Sequence, residues 1–378
     1  MIRRFIYTRY HYIPPSHGAG YIAGGWLQSA TLRKTNGKGL TWGYNPNGQL
    51  GDNSTTSRKT PVAIVGATHN FCVITFGRYF AHAIDSAGRG WAWGEGTYGE
   101  LGTNTSANVS TPIAMLSQYT FCKISNGDYH SIAIDKNGQA WQWGYWLDGN
   151  RGVPLGDVTF RSSPGQVYGT HTFCEITSYF RHSQAIDKNG QGWGWGDSLT
   201  GNAASWSSNT PVAVGGTHTF CKIATGYQNS CAIDKDGKGW GWGRYSGNNT
   251  SWDQNLTPVA ICGAHTFCQI TAIMFGGLAI DNNGKGWGWG YGYYGALGNG
   301  ITTGYRYHKK TPVAICGAHT FCQISGRADA GWPYLSGGIA LDNHGKVWAW
   351  GANIYGQVGD NTNTDRCTPV AVCDALII

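Results

Sequence analysis

The stretch Ala133-Ile-Asp-Lys-Asn-Gly-Gln-Ala-Trp-Gln-Trp-Gly144 decides the fold of this chain. It returns with small changes at 83–94, 185–196, 232–243, 279–290 and 340–351, and in a weaker form at 32–43. The last tryptophans of the seven copies lie 47 to 61 residues apart: Trp42, Trp93, Trp143, Trp195, Trp242, Trp289 and Trp350. A repeat of this length predicts supersecondary units that stack or close into a ring.

Each copy contains four short stretches with strand character. In the third copy, residues 121–124 and 131–134 are rich in apolar and β-branched residues, and residues 139–143 form a third stretch. Residues 135–138 predict a turn, because aspartate bonds to nearby backbone and glycine allows a positive φ. Residues 60–64 are typical of an outer strand, which tolerates proline at an edge. Four antiparallel strands in each of seven copies predict an all-β, seven-bladed β-propeller.

Three motifs carry a family resemblance. They are Trp42-Gly-Tyr-Asn-Pro-Asn-Gly-Gln-Leu-Gly51, its looser copy Trp350 to Gly359, and Gly127-Asp-Tyr-His-Ser-Ile-Ala-Ile134. Over roughly residues 20–378 the chain resembles the regulator of chromosome condensation (RCC1) repeat family, whose fold is a seven-bladed propeller. The family includes exchange factors, scaffolds, ubiquitin-ligase modules and many bacterial and phage proteins, so the resemblance implies a fold rather than one function. We expect a phage or bacterial member.

We divide the chain into an N-terminal arm, residues 1–19, and one propeller domain, residues 20–378. The arm has no apolar run long enough for a signal peptide or a membrane span. It could pack on the propeller's edge, anchor the ring in a larger assembly, or act as a mitochondrial transit peptide. The residues expected to make assembly contacts are Arg3, Arg4, Phe5, Tyr7, Arg9, Tyr10 and Tyr12.

Ring closure can also be predicted from the register of the repeats. Residue 20 falls at the register of a first strand and the last repeat ends after a fourth strand. We therefore expect blades 1 and 7 each to be whole, with no strand exchanged. An open seam between them would be a weak point, which the arm could cover.

The composition favours a neutral, hydrogen-bonding surface. Charged residues make up only 12% of the chain, which is more typical of extracellular or virion proteins than of cytosolic enzymes. The net charge is +7, but residues 1–51 carry six cations and no acid, so the rest is near balance. We therefore expect no nucleic-acid partner.

Cysteine and histidine recur at fixed repeat positions. Six cysteines share one position, for which we expect a small buried apolar slot: Cys72, Cys122, Cys174, Cys221, Cys268 and Cys322. Five histidines share another, for which we expect a structural hydrogen bond: His69, His171, His218, His265 and His319. His130 and His182 occupy the histidine position of the Gly127–Ile134 motif and should also be structural. One residue per blade is too widely spaced to bind one metal ion.

Catalytic motifs are not evident. Six of the 20 acidic residues are the turn aspartates, and no carboxylate pair stands out among the rest. Two stretches, 94–99 and 290–295, have the glycine spacing Gly-x-Gly-x-x-Gly of the dinucleotide-binding fingerprint, but neither opens a helix in a βαβ unit. We expect no catalytic residue, no metal and no cofactor.

The loops that depart from the repeat contain the remaining candidates for a binding site. Aromatic residues in these loops either cover the flank of their own blade or bind sugars and protein partners. The candidates are Trp146, Trp206, Trp252, Tyr293, Tyr294, Tyr305, Tyr307, Trp332 and Tyr334.

The sequence thus predicts a non-enzymatic structural or recognition propeller on a virion or an extracellular surface. We expect its loops to bind a neighbouring protein, a cell-surface receptor or a glycan. The alternatives are a guanine-nucleotide exchange-factor-like regulator, and an organellar complex subunit whose N-terminal segment is a targeting signal. The alternative locations are mitochondrial or cytoplasmic.

Overall fold

The computed structural model describes residues 21–376, except 34, 67–68, 117, 146–151, 153–159, 197–199, 203–206, 250–254, 302–307 and 329–334. For residues 374–376 it describes the backbone only. The predicted arm and its assembly residues Arg3, Arg4, Phe5, Tyr7, Arg9, Tyr10 and Tyr12 lie outside this part of the chain.

The described residues form seven four-stranded sheets, each made from one continuous stretch of sequence. The strands of blades 1 to 4 are β1 (Tyr21–Gly24), β2 (Gln28–Leu32), β3 (Gly39–Gly43), β4 (Arg58–Ala63), β5 (Phe71–Phe76), β6 (Phe80–Asp85), β7 (Gly90–Gly94), β8 (Val109–Ala114), β9 (Phe121–Asn126), β10 (His130–Asp135), β11 (Ala140–Tyr145), β12 (Phe160–Gln166), β13 (Phe173–Tyr179), β14 (His182–Asp187), β15 (Gly192–Gly196) and β16 (Ser208–Ala213).

The remaining three blades repeat this order. Their strands are β17 (Phe220–Thr225), β18 (Asn229–Asp234), β19 (Gly239–Gly243), β20 (Asn255–Ala260), β21 (Phe267–Ile273), β22 (Gly276–Asp281), β23 (Gly286–Tyr291), β24 (His308–Ala314), β25 (Phe321–Ala328), β26 (Ser336–Asp342), β27 (Lys346–Gly351) and β28 (Arg366–Leu376). A single 3-10 turn, Tyr293–Gly295, follows β23.

Every sheet is antiparallel, with its strands in sequence order from first to fourth. The first strands of neighbouring blades contact one another around the ring, so they surround the central axis. The predicted seven-bladed β-propeller is confirmed. Blades 1 and 7 are whole, and no strand is exchanged among the described residues.

The last tryptophan of each copy holds neighbouring blades together. All seven indoles are buried, and the Nε1–H of Trp93 donates to the carbonyl of Gln49 in the preceding blade at 2.9 Å. Trp143 bonds to the carbonyl of Glu100 in the same way, at 2.7 Å. Burial of each indole stabilises the fold by roughly 2–3 kcal/mol, and its hydrogen bond satisfies the one polar atom of the ring.

The seam between blades 7 and 1 uses the same contacts as the other interfaces. Trp42 Nε1 donates to the carbonyl of Gln357 at 3.1 Å. On the inner strands, the Ser325 hydroxyl accepts a bond from Gly24 N at 3.0 Å, just as Ser125 accepts one from Ser178 N at 2.9 Å between blades 3 and 4. The seam is closed by its own side chains, contrary to the open seam considered from the sequence.

The turn aspartates fix the hairpin between the second and third strands. In blade 3, Asp135 Oδ1 accepts bonds from the backbone N–H of Asn137 and Gln139 at 2.8 and 3.0 Å. Its other oxygen accepts a bond from Trp141 Nε1 at 3.1 Å. The same bonds recur at Asp85, Asp187, Asp234, Asp281 and Asp342. These six acids are therefore structural, as predicted.

The repeated histidines pack at a tilt against tryptophan rings rather than forming the hydrogen bonds that we expected. His171 lies over the Trp193 ring with a centroid distance of 3.8 Å, and His69, His218, His265 and His319 lie 3.8–3.9 Å from the outer tryptophan of their blades. Tyr119 takes this place in blade 3. This repeat position favours an aromatic ring, because the side chain there packs against the outer tryptophan, whose Nε1–H bonds to the turn aspartate.

The repeated cysteines contradict the prediction of a uniform buried slot. Cys72 is buried, but Cys221, Cys268 and Cys322 are exposed. The exposed cysteines lie at a β-bulge: Phe220 pairs with Asp234 and Lys222 pairs with Ile233, so Cys221 has no partner opposite. The same register shift recurs at the other five cysteines, the buried Cys72 included. A bulge turns the extra residue out of the ladder. All 11 cysteines are free.

Candidate functional site

One end of the ring carries aromatic residues in nearly every loop. Because the strands are antiparallel, the hairpin between the first and second strands and the loop between the third and fourth strands lie at the same end. The hairpins of blades 1 to 6 each contribute one aromatic ring: Trp26, Tyr79, Tyr129, Phe180, Tyr227 and Phe275. Tyr44, Tyr145 and Tyr291 stand at the ends of third strands. We call this end of the ring the aromatic face.

Over blades 7, 1, 2 and 3 the rings contact one another across blade boundaries. Tyr355 and Tyr44 have centroids 4.5 Å apart, and Tyr44 lies 6.2 Å from Tyr79. Farther round the ring, Tyr98 packs edge-on against Tyr129 at 5.9 Å. Tyr98 is 40% exposed, so this part of the face reaches solvent. Aromatic pairs at these distances attract each other beyond their buried area, which makes the arc rigid.

Over blades 4 to 6 a second arc continues the face. Phe180 and Tyr227 lie 4.4 Å apart, and Tyr227 and Phe275 lie 5.5 Å apart. The arc continues from Phe275 to Tyr291 at 6.1 Å and from Tyr291 to Tyr293 at 6.2 Å. All five rings are half-buried, so each keeps an edge or a face open to a ligand.

Two arginines lie among these rings. The guanidinium of Arg78 lies 4.2 Å from the Trp26 ring and 5.1 Å from Tyr79, and it donates a 2.7 Å bond to the hydroxyl of Tyr129. Burial raises the pKa of the neighbouring Glu95, and the charge of Arg78 opposes that shift. Arg181 lies 5.0 Å from the Phe180 ring. Tyrosine, tryptophan and arginine are the residues enriched where proteins bind one another most tightly.

Of the loop aromatics predicted from the sequence, the structure places two on this face. Tyr293 and Tyr294 lie in the 3-10 turn with their centroids 4.0 Å apart, and Tyr294 packs against the cluster that contains Trp26 and Leu335. Tyr294 has a φ of 55°, a conformation that non-glycine residues rarely adopt. The other candidates lie outside the described residues: Trp146, Trp206, Trp252, Tyr305, Tyr307, Trp332 and Tyr334.

The central channel is crossed at the aromatic face. Tyr179, the last residue of β13, donates a 2.6 Å hydrogen bond from its hydroxyl to the carbonyl of Ala328, the last residue of β25. The ring of Tyr179 packs in one cluster with Trp26, Leu27 and Leu335. Residues from blades 1, 4 and 7 therefore meet across the centre of the aromatic face.

A charged side chain is buried directly beneath this centre. Arg327 is 2% exposed, and its guanidinium donates to the carbonyls of Trp350 and Ala352, at 3.3 Å for Ala352. Burial lowers the pKa of Arg327 to about 9, and the charge of Asp365 opposes this shift. The indole Nε1–H of the buried Trp26 finds no acceptor among the described residues. Like the Trp26 Nε1–H, the Arg327 Nε–H has no acceptor among the described residues.

The hairpin aromatics were missed in the sequence because they do not occupy a single repeat position. Tyr79 and Tyr129 stand one residue before the second strand, whereas Trp26, Phe180 and Tyr227 stand two residues before it. A search for any aromatic within that two-residue window of each copy would have found them. Their assembly into one face follows only from the closed ring.

Some functional classes can be tested directly on the described part of the chain. It contains no cluster of three or more His, Cys, Asp or Glu side chains placed to hold a metal ion. No helix in it is long and apolar enough to cross a bilayer.

Comparison with known proteins supports the resemblance seen in the repeats. The family model for the regulator of chromosome condensation (RCC1) repeat matches residues 36–84, 87–134 and 344–375. The ultraviolet-B receptor UVR8 of Arabidopsis thaliana is 46% identical over 50 residues, which are 13% of this chain and 10% of the receptor. The match thus spans about a tenth of that relative's length.

Solved structures show the same fold at low sequence identity. Prp20p from Saccharomyces cerevisiae superposes with a TM-score of 0.76 at 16% identity, over 95% of this chain and 88% of that one. Human WBSCR16 superposes with a TM-score of 0.71 at 18% identity, over 80% of this chain and 83% of that one. The study of Prp20p concerns its binding to Gsp1p and histones.

Proposed function

We propose that this RCC1-like propeller is a non-catalytic binding module that holds a protein partner on its aromatic face. The observation that carries the proposal is the succession of rings from six consecutive hairpins, all half-buried except the buried Trp26, with Arg78 and Arg181 among them. Such a surface combines large apolar area with fixed donors, the composition of binding hot spots. A binding role without catalysis is compatible with an RCC1-like propeller.

The rigidity of the face supports a protein partner. Ring-to-ring contacts and the hydrogen bond from Arg78 to Tyr129 hold the side chains in place before binding. A preordered surface loses little side-chain entropy when a partner docks. The bond from Tyr179 to Ala328 also ties blades 4 and 7 together across the face. We further propose a virion or cell-surface setting, in which the partner is a neighbouring subunit or a receptor.

The test uses matched tyrosine variants on the two ends of the ring. Tyr98→Ala and Tyr227→Ala remove rings from the aromatic face. Tyr168→Ala removes a more exposed ring, 59% accessible, from the opposite end, where it follows β12. The partner is purified from the cells or particles that produce the protein, and its dissociation constant is measured for each variant. We expect at least a roughly tenfold loss of affinity for the first two variants and no change for Tyr168→Ala.

Two further measurements separate the other functions. A glycan array with the purified propeller, repeated with Tyr227→Ala, tests sugar recognition; binding that this variant abolishes would assign the face to glycans instead of protein. Release of labelled nucleotide from a small GTPase tests the exchange-factor alternative considered from the sequence. Partner binding that is unaffected by Tyr98→Ala and Tyr227→Ala, or equally reduced by Tyr168→Ala, would overturn the proposal.

A further inference from the structure

The first blade departs from the other six at two repeat positions. Arg33 occupies the position of the turn aspartate. Its backbone N–H bonds to the carbonyl of Lys38 across the turn, as the N–H of Asp85 bonds to the carbonyl of Arg89 in blade 2. Leu40 occupies the position of the outer tryptophan, because it pairs with Thr31 as Trp91 pairs with Ala83 in blade 2. Both the acid and the outer indole of the repeat are therefore missing from blade 1.

In the other blades these two residues neutralise and cover the turn. The Asp85 carboxylate is paired with Arg89 at 2.8 Å. In blades 5 and 6 the ammonium group of the turn lysine lies over the indole, at 4.6 Å for Lys238 and Trp240 and at 4.8 Å for Lys285 and Trp287. The turn cation in those blades thus has both an anion and a ring beside it.

Blade 1 has a pocket in this region instead, at the end of the ring opposite the aromatic face. The pocket has a volume of about 390 Å³ and lies between the first turn and the loop after β4. Arg33, Lys38 and His69 line it, and its apolar walls include Leu40, Ile64 and Phe71. This volume lies within the range of small-molecule sites.

The charges around the pocket have one sign. None of its described lining residues is acidic. Asp85 acts on His69 from outside the pocket, but its carboxylate already bonds to Arg89 and Trp91. Burial lowers the pKa of His69, so its ring is a neutral hydrogen-bonding group at pH 7, and the positive charge comes from Arg33 and Lys38. Two cations with no acid between them match a dianion, and the guanidinium fork fits phosphate oxygens.

We propose that the blade 1 pocket binds a phosphate monoester, with the phosphate held by Arg33 and Lys38 and a small apolar group against Leu40, Ile64 and Phe71. Both departures from the repeat line the pocket: Arg33 brings a charge, and Leu40 is smaller than the indole of the other blades. The site is independent of the aromatic face and of any partner bound there.

Calorimetric titration of the full chain with three probes tests the ligand class. Phenyl phosphate should bind at one site per chain with a dissociation constant of about 1 mM or tighter, and roughly tenfold tighter than inorganic phosphate or benzoate. Equal binding of inorganic phosphate would overturn the role of the apolar walls, and equal binding of benzoate would overturn the preference for a dianion. Binding of phenyl phosphate that does not saturate below about 10 mM would overturn the site itself.

Variants that restore the repeat test the location. Arg33→Asp introduces the aspartate of the other blades, and Leu40→Trp introduces their indole. We expect each to weaken phenyl phosphate binding at least about tenfold, and Lys38→Gln to weaken it by a smaller factor. Lys285→Gln is the matched control, because it removes an exposed turn cation beside Asp281 in blade 6. A loss for Lys285→Gln equal to that for Arg33→Asp, or unchanged binding in Leu40→Trp, would overturn the proposal.

Discussion

The hydroxyl of Tyr179 in blade 4 donates a 2.6 Å hydrogen bond to the main-chain carbonyl of Ala328 in blade 7. Two blades lie between these residues on one side of the ring and three on the other, so the bond crosses the central axis. Other inter-blade bonds described above join immediate neighbours. This one joins opposite sides of the ring at the aromatic face.

Removing that bond should loosen the ring as a whole. Tyr179→Phe keeps the aromatic ring but leaves the Ala328 carbonyl without this donor, and we expect the free energy of unfolding to fall by about 1 kcal/mol. Tyr168→Phe, at an exposed site, should change it by less than about 0.5 kcal/mol. Denaturant unfolding of both variants measures the difference; equal stability of the two would contradict the role of the bond.

The seam between blades 7 and 1 should be as stable as any other interface. Ser325→Ala removes the acceptor of Gly24 N at the seam, and Ser125→Ala removes the acceptor of Ser178 N between blades 3 and 4. We expect both variants to lose about 1 kcal/mol of unfolding free energy. A clearly larger loss for Ser325→Ala in the same denaturation assay would show that the seam is the weaker interface.

Glu100 should make the fold less stable as the pH rises. Burial raises its pKa to about 8, so the folded chain keeps the carboxyl protonated while the unfolded chain ionises it above its ordinary pKa of 4.5. The free energy of unfolding should therefore fall, by at most about 1.4 kcal/mol per pH unit, between these values. The Glu100 side chain accepts a bond from the backbone N–H two residues before it, and the side chains of Gln49 and Gln357 accept the equivalent bonds in blades 1 and 7.

The variant Glu100→Gln tests this directly, because glutamine is already the residue of two other blades. It should match the wild type near pH 4.5 and become the more stable protein as the pH approaches 8. The check is the unfolding free energy at several pH values. Parallel curves for the two proteins would show that Glu100 ionises freely in the folded state.

His130 and His182 should destabilise the fold in acid. Burial lowers their pKa values to about 3 and about 4, with the charge of His182 also acting on His130. Both are neutral when folded, but the unfolded chain protonates them below 6.5, so stability is complete above pH 6.5 and is lost as the pH falls toward 4. Asn229 fills the same position in blade 5. His182→Asn should therefore show a shallower loss between pH 6.5 and 4; an unchanged slope would contradict this.

The exposed cysteines at the bulges should react faster than the buried Cys231, which is paired on both sides in β18. Cys221, Cys268 and Cys322 are exposed, whereas Cys231 is 2% exposed and burial strongly raises its pKa. We expect iodoacetamide to label the first three in the native protein and to spare Cys231 until the chain unfolds. Mass spectrometry of digests after brief labelling identifies the modified residues, and early labelling of Cys231 would contradict the fold of blade 5.

The repeats alone predicted the fold because the residues that build each blade are local. The turn aspartate, the outer tryptophan six residues later and the buried tryptophan after it form their bonds within one blade or to the next. A periodic sequence records such contacts copy by copy. The role of the repeated cysteines could not be read in this way, since a bulge depends on a pairing shift of one residue, and a buried apolar slot gives the same sequence pattern.

The candidate site was only partly predictable for a different reason. Tyr293 and Tyr294 were found because they depart from the repeat, whereas Tyr79 and Tyr129 were overlooked within it. The contact of Tyr179 with Ala328 joins residues 149 positions apart, and no periodicity in the sequence points to it. For blade 1 the sequence showed only an excess of cations in residues 1–51. The pocket that Arg33 and Leu40 line together was seen only in the structure.

Each sheet is built from a single stretch of chain, and this has a consequence for engineering. A cut in any loop between two blades would leave seven intact sheets, whereas a ring with an exchanged strand would tolerate a cut at few positions. The propeller should therefore accept circular permutation at the loops that precede Phe121, Phe220 and Phe267, with the buried tryptophan of the following blade re-forming each interface.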